Sequence, residues 1–270
     1  MNFWNMPADW WKLLFTNDEK NSFIKKEPLS EKWFKPLISA HEFLNWKIRW
    51  CLWLEDLKDE DLEWMSFVTN IINELKIIRE NSSRPKLADI PHLFAQITQP
   101  KDKDFILIPR HSSERREYIP IWYFDCENKA HDSCLIIPVE EVSIFWFITS
   151  KMHMVWIKSV CWRLKTDYRY SKNIVYNNFP FPYITKKQKE EIEEYVYEVL
   201  DEREKHSEKT LAEMYDPDKM PEWLKKAHHE LDLVIERCYR PKPFESDEER
   251  LEYLFKMYEK MIAKEKENNK

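Results

Sequence analysis

Asn177-Asn178-Phe179-Pro180-Phe181-Pro182 is the point at which the sequence changes character. Each proline lacks a backbone N–H and restricts the residue before it, so this hexapeptide is an extended connector and not part of a helix. On its C-terminal side, the apolar residues repeat at helical spacing. They are Ile192, Val196, Val199 and Leu200 within 186–206, then Leu224, Ala227, Leu231, Ile235 and Cys238 within 221–239. The second of these helices follows Pro221, a residue suited to a first turn. A third, over 247–266, has Leu251, Leu254, Tyr258 and Met261 on one side and opens with Ser246 and Glu249 at capping-box spacing. Residues Lys264 to Lys270 are expected to fray.

On the N-terminal side, helix and strand patterns mix. Residues 1–60 read as irregular, with short apolar pieces such as Cys51-Leu52-Trp53-Leu54. Residues 60–80 place Met65, Val68, Ile72, Leu75 and Ile78 on one helical face. Short β-rich runs follow at Phe105–Ile108, Tyr118–Phe124 and Cys134–Ile137, the middle one carrying Pro120, which marks an edge or a bulge. Residues 139–160 read as one helix with Val142, Phe145, Ile148, Met152, Val155 and Trp156 inward. The expected fold is therefore α+β: a mixed helix and strand domain over 1–178, then a small all-α helical bundle over 179–270.

Composition narrows the function. The formal net charge is −6, but residues 186–270 hold 18 Lys+Arg against 24 Asp+Glu, leaving 25 of each before them. Within that neutral part, residues 151–172 carry six Lys or Arg and one Asp. A local basic stripe says more about partners than the total does. No run approaches the ~20 apolar residues of a membrane span, and the N-terminus lacks the pattern of a secretory signal. The five cysteines are scattered without C-x-x-C spacing and the histidines form no ligand set, so no metal is expected. Unpaired thiols point to a reducing cytoplasm.

Two segments carry chemistry suited to nucleic acid. In Pro109-Arg110-His111-Ser112-Ser113-Glu114-Arg115-Arg116, between two strand patterns, Arg110, Ser112, Ser113, Arg115 and Arg116 offer guanidinium and hydroxyl donors for phosphate oxygens. A solvated loop with an internal Glu–Arg pair is the plainer reading of the same residues. The second segment interleaves Lys158, Arg163, Lys165, Arg169 and Lys172 with Trp162, Tyr168 and Tyr170. In an extended chain Lys165 and Asp167 point the same way. A lysine donates to guanine O6 and N7 and an aspartate accepts from cytosine N4, so the pair suits one G·C base pair. An ordinary helix end with a local ion pair fits equally. His153, inside an apolar run, reads as a core residue. Nothing provides a Gly-rich phosphate loop, an Asn-Pro-Pro-aromatic motif or a nuclease cluster, so no catalytic residue is assigned.

The order of these segments resembles the C-terminal third of the MmeI-type (type IIL, grouped with IIG) restriction–modification enzymes. The resemblance rests on Asn5-Met6-Pro7-Ala8-Asp9, Ile108-Pro109-Arg110, Ser112-Ser113-Glu114-Arg115-Arg116 and Tyr118-Ile119-Pro120. It is densest from Ser150-Lys151-Met152-His153-Met154 through Arg163-Leu164-Lys165-Thr166-Asp167-Tyr168-Arg169-Tyr170-Ser171. It continues in Val175–Pro180, Leu211–Pro217, Met220-Pro221 and Tyr239-Arg240-Pro241. It implies a target-recognition domain over 1–178 and a C-terminal helical domain over 179–270. It also implies Lys165 and Asp167 as a base-reading pair serving methylation of adenine N6 by S-adenosylmethionine. The nuclease and methyltransferase parts of such enzymes have no counterpart here. The chain is then expected to bind double-stranded DNA, to hold no cofactor and to be inactive alone, its methyltransferase domain lying in cis or in a neighbouring chain. A gene fragment, a split gene and an internal start all remain open. So do a stand-alone specificity subunit acting in trans and a protein-interaction module without DNA.

One compositional fact stands apart. There is no glycine and there are 13 tryptophans, whereas about 7% glycine is usual. Trp10-Trp11 follow Pro-Ala-Asp, a turn context badly suited to paired indoles. The resemblance implies glycine at Trp4, Trp10, Trp11, Trp46, Trp122, Trp146 and Trp162, as if UGA codons meaning glycine had been translated as tryptophan. A tryptophan-rich, glycine-poor lineage is the alternative. Trp53 and Trp156 sit in apolar runs and read as genuine.

Overall fold

The computed structural model describes residues 5–139 and 143–268. Trp4, Val142 and the last two residues of the tail expected to fray lie outside them. In chain order the elements begin with β1 (Leu14–Phe15), α1 (Asn17–Lys26), β2 (Phe34–Ile38), α2 (Ala40–Leu44), β3 (Trp50–Leu52), α3 (Asp59–Leu62) and α4 (Ser66–Glu80). The strands β4 (Phe105–Pro109), β5 (His111–Ser112), β6 (Trp122–Phe124), β7 (Lys129–Ala130) and β8 (Cys134–Pro138) follow. Then come α5 (Ser143–Ile148), α6 (Lys151–Val160), β9 (Trp162–Leu164), β10 (Asp167–Arg169), α7 (Lys186–Lys205), α8 (Leu211–Met214), α9 (Glu222–Tyr239) and α10 (Asp247–Asn268). The fold is α+β with an all-helical C-terminal segment, as the sequence pattern predicts. Among the described residues no helix is long and apolar enough to cross a membrane.

The chain forms two compact units that interleave along the sequence. One comprises Asn2–Leu107 and Tyr123–Pro138, the other Ile108–Trp122 and Val139–Lys270. In the first unit, β1, β3, β2 and β7 form a sheet in that order, antiparallel except for the parallel β2–β7 pair. Residues 1–60, read as irregular, thus contain three strands of two to five residues. Strands so short show no alternation in sequence; their pairing makes them. Leu13, Phe34, Leu37, Cys51, Leu52 and Leu54 pack beneath the sheet against Met65, Val68 and Leu75 of the α4 side. The helix expected over 60–80 is broken after Leu62, and α4 begins at Ser66. The buried Glu27 carboxylate accepts from the first N–H groups of α4, Phe67 at 2.7 Å and Val68 at 3.2 Å. At the other end Arg79, fully buried, donates to the carbonyls of Pro7, Ala8, Leu87, Ile90 and Leu93. That one guanidinium fixes the path of two irregular segments. Strand β4 lies between β6 and β8.

The second unit is a helical assembly with one small sheet. The single helix expected over 139–160 is two, because Thr149 and Ser150 turn their hydroxyls back to carbonyls of α5 and Ser150 then caps α6. Phe145, Ile148, Met152, Val155 and Trp156 are all buried. The three tail helices occupy the predicted ranges within one or two residues. α7 carries a Thr185/Gln188 capping box and α10 receives the Ser246–Glu249 bond at 3.2 Å. α10 buries only Leu254 fully, since it meets α6 along one narrow line where Phe255 and Tyr258 touch the Trp156 ring.

Candidate nucleic-acid interface

The candidate surface belongs to the second unit and starts at the end of α6. Cys161 leaves the helix in extended conformation, and the chain makes a hairpin of β9 and β10. Leu164 and Asp167 pair across it, leaving a two-residue loop, Lys165-Thr166. Lys165 has φ 58°, whereas Thr166 is not among the residues of positive φ. Left-handed backbone at the first loop position alone is the pattern of a type II′ turn. Lys165 and Asp167 therefore do not lie along one extended strand, as their spacing had suggested; Lys165 sits in the turn and Asp167 begins β10, because the chain reverses at Lys165. A Lys-Thr loop carries no turn signature, so the reversal was invisible in the sequence.

β10 also pairs with β5, setting Tyr168 opposite Ser112 and Arg169 opposite His111. Part of the polar connection after Pro109 is thus an edge strand and not a free loop. Side chains opposite one another share a face, so this three-stranded sheet has two distinct sides. Ser112 and Tyr168 are buried on the inner side. There Arg163 lies 5.0 Å from the Tyr168 ring and pairs with Glu114 at 2.5 Å. The outer side carries His111, Arg169 and Trp162 in one row, with Asp167 and Leu164 beside them, all exposed. Trp162 is 67% and Leu164 54% accessible, so apolar and cationic groups share one wet face. His111 was not singled out from sequence; its place two residues before Ser113 gave no sign of strand pairing. Its imidazole is held below its ordinary range by partial burial and by neighbouring Arg110 and Arg169, and is therefore neutral at pH 7.

The predicted cations separate into two groups. Arg115 pairs with Asp218, both side chains exposed. Arg116 donates from Nε to the Tyr215 carbonyl at 3.2 Å, and burial lowers its pKa. Arg163 is engaged by Glu114 and by the Thr166 carbonyl. Lys158 is half-buried near Lys151, and burial lowers its pKa. Arg110 and Lys172 are half-buried, and the Arg110 carbonyl accepts from Tyr170 N–H at 2.8 Å. Ser112 is buried and its hydroxyl has no hydrogen-bond partner among the described residues, while the Ser113 hydroxyl accepts from Arg115 N–H. Lys165 and Arg169 are exposed and, among the described residues, make no ion pair.

Behind this surface lies a buried polar network. Tyr118 donates to Asp232 Oδ2 at 2.6 Å, and the first N–H of α6, from Lys151, donates to Oδ1 at 2.6 Å. The Asp232 carboxyl is pushed up to about 7, foremost by burial. Tyr118 stacks on His228 at 4.1 Å; His228 Nε2 meets Tyr215 Oη at 2.8 Å, and Arg203 donates to that same oxygen. Desolvation holds His228 far below its usual range, so it stays neutral. His153 is fully buried, as expected of a core residue; its Nε2 meets Tyr170 Oη at 2.7 Å and its Nδ1 has no partner among the described residues. These groups join the segment 110–118 and the foot of α6 to α9. Among the described residues no cluster of three metal-ligating side chains occurs.

Residues 1–183 match the family model of the MmeI target recognition domain, and residues 184–264 that of the MmeI C-terminal domain. The chain is 42% identical over 267 residues to DNA methyltransferase A of Bacillus subtilis (strain 168), covering 98% of this chain and 30% of that protein. It also superimposes on the solved structure of the type IIL restriction-modification enzyme MmeI in complex with DNA, with a TM-score of 0.92 and 38% identity. That match covers 97% of this chain and 35% of the MmeI chain. The chain thus spans about a third of the length of each relative.

Proposed function

Because this chain belongs to the MmeI family, as its target-recognition and C-terminal domains, we propose that it reads a sequence in double-stranded DNA on behalf of an adenine methyltransferase. The reading rests most on the outer face of the β5–β10–β9 sheet, where Lys165 and Arg169 are exposed and, among the described residues, make no ion pair, whereas Arg115 and Arg163 do. In this proposal the hairpin enters a groove, Lys165 donates to guanine, and Asp167 accepts from cytosine. Arg169 contacts phosphate, aided by Lys158, Lys172, Arg110 and Ser113 at the margin. Trp162 and Leu164 pack on sugar or base edges. Arg115, Arg116 and Arg163 serve the surface by holding their segments in place; Arg115 and Arg163 are also exposed enough to exchange Asp218 and Glu114 for a DNA phosphate.

Methyl transfer from S-adenosylmethionine to adenine N6 belongs, in this reading, to the two thirds of the relatives that this chain does not span. The methyltransferase part acts in cis or from a neighbouring chain. This chain binds and orients; it moves no proton and holds no cofactor. A cytoplasmic setting suits the five cysteines, all of them free thiols.

The test is duplex binding as a function of salt. Each phosphate contact adds about 0.9 to the slope of log K against log salt. Arg169→Ala is expected to reduce that slope by about one and to weaken all sequences alike. Lys165→Ala is expected instead to cost about 1–3 kcal/mol on one G·C-containing site and little elsewhere. Binding that is absent, or insensitive to salt, refutes the reading.

A further inference from the structure

Five described residues have positive φ: Ala8 (44°), Trp10 (47°), Trp11 (68°), Trp46 (51°) and Lys165 (58°). Three of the five are tryptophan, in a chain without glycine. In the left-handed region a Cβ crowds the carbonyl oxygen, and only glycine enters it freely.

Two local motifs force this backbone. Lys12 N–H bonds the Asp9 carbonyl at 3.0 Å, closing a four-residue turn whose two central residues, Trp10 and Trp11, both have positive φ. That is a type I′ turn, which demands glycine, asparagine or aspartate at its centre. Its ends are held from outside: Arg79 donates to Pro7 O and Ala8 O, and the Asp9 carboxylate accepts from Leu13 N–H at 2.8 Å. The second motif ends α2. Asn45 is the C-cap, and Lys47 N–H reaches back to the Glu42 carbonyl at 3.0 Å, with Trp46 left-handed between them. This closure is a Schellman motif, and its left-handed position is the one glycine dominates.

The indoles are largely exposed at these places. Trp10 is 51%, Trp11 71% and Trp46 45% accessible, whereas Trp53 and Trp156 are 9% and 1%. Arg49 lies over the Trp11 ring, at 5.4 Å. Exposed rings on strained backbone are the reverse of what selection for tryptophan would leave.

We infer that the polypeptide made in its source organism carries glycine at positions 10, 11 and 46, encoded there by UGA. UGA shares two bases with the tryptophan codon UGG, so reading it as tryptophan puts an indole at every glycine so encoded. The tryptophans are then two populations, one decoded from UGG, the other standing for glycine. Backbone geometry makes the assignment at these three positions alone. Trp122, Trp146 and Trp162 have no positive φ, and Trp146 is fully buried.

Sequencing the gene and measuring peptide masses of the protein from its source cells tests this. UGA at codons 10, 11 and 46 with glycine masses, and UGG at 53 and 156, is the expected result. UGG at the first three codons, or tryptophan masses there, overturns it. A second measurement uses the recombinant chain: Trp10→Gly, Trp11→Gly and Trp46→Gly are each expected to raise the folding equilibrium constant about fivefold, while Trp53→Gly and Trp156→Gly lower it. A loss of stability at 10, 11 or 46 overturns the assignment of that position.

Discussion

Removing the Asp232 side chain tests whether the helical tail supports the candidate surface. Its two carboxylate oxygens accept from the Tyr118 hydroxyl and from the leading N–H of α6, both at 2.6 Å. Tyr118 is 6% exposed, so Asp232→Ala leaves its hydroxyl buried without that partner. A buried group left unsatisfied costs about 1–3 kcal/mol, and the half-buried helix N–H adds a similar or smaller amount. The expected loss is about 2–5 kcal/mol. Asp232→Asn keeps an acceptor for the Lys151 N–H and offers its amide to the Tyr118 oxygen, so at pH 5, where the Asp232 carboxyl is protonated, it is expected to stay within about 1 kcal/mol of the parent. Both variants also differ from the parent in pH response. The Asp232 carboxyl stands at about 7 in the folded chain against 3.8 when unperturbed. Between those values the native state keeps a proton that the unfolded chain has released, so this group's contribution to stability falls as pH rises through the window. The full fall is on the order of 4 kcal/mol and should vanish in Asp232→Asn. Urea denaturation of the three proteins at pH 5 and pH 7.5 measures both effects. Asp232→Ala within 0.5 kcal/mol of the parent, or a pH dependence unchanged in Asp232→Asn, refutes the reasoning.

Two further outcomes are expected. Arg79→Ala leaves the carbonyls of Pro7, Ala8, Leu87, Ile90 and Leu93 without their common donor, and should lower stability by about 3–5 kcal/mol in denaturant titration. Glu114→Gln releases Arg163 from its 2.5 Å ion pair. Duplex affinity at low salt should then rise and the salt slope steepen by up to about 0.9, which a fluorescence titration at several ionic strengths reads directly.

The sequence revealed this molecule unevenly, for physical reasons. Helices α7, α9 and α10 were readable because each buries one stripe, and a stripe imposes its period on residues four apart. The break between α5 and α6 was missed because apolar residues continue through it; the hydroxyls of Thr149 and Ser150 decide it by turning back on carbonyls. Strands β1 to β3 were missed because two to five residues are too few to alternate visibly. At the candidate site, the basic and aromatic composition was evident. What could not be read was that the segment folds into a hairpin at Lys165, that His111 joins its outer face, and that Arg116 points into the Tyr215 carbonyl.

By itself, then, the order of residues determined the class of fold, the break in helix at Phe179–Pro182 (Asn177 and Asn178, expected to be extended, instead turn at the end of a short helix), the helical tail, the cationic stretch, and the anomaly of a chain rich in tryptophan and void of glycine. These are properties of near neighbours, set by periodicity, ring chemistry and charge. Only the tertiary structure decided that Ile108–Trp122 and Val139–Asn178 pack with the tail in one unit, and which cations keep their charge for a partner. Those outcomes depend on groups 49 and 114 positions apart, Glu114 with Arg163 and Tyr118 with Asp232. No local pattern records such pairings, because they exist only once burial has brought the two ends together.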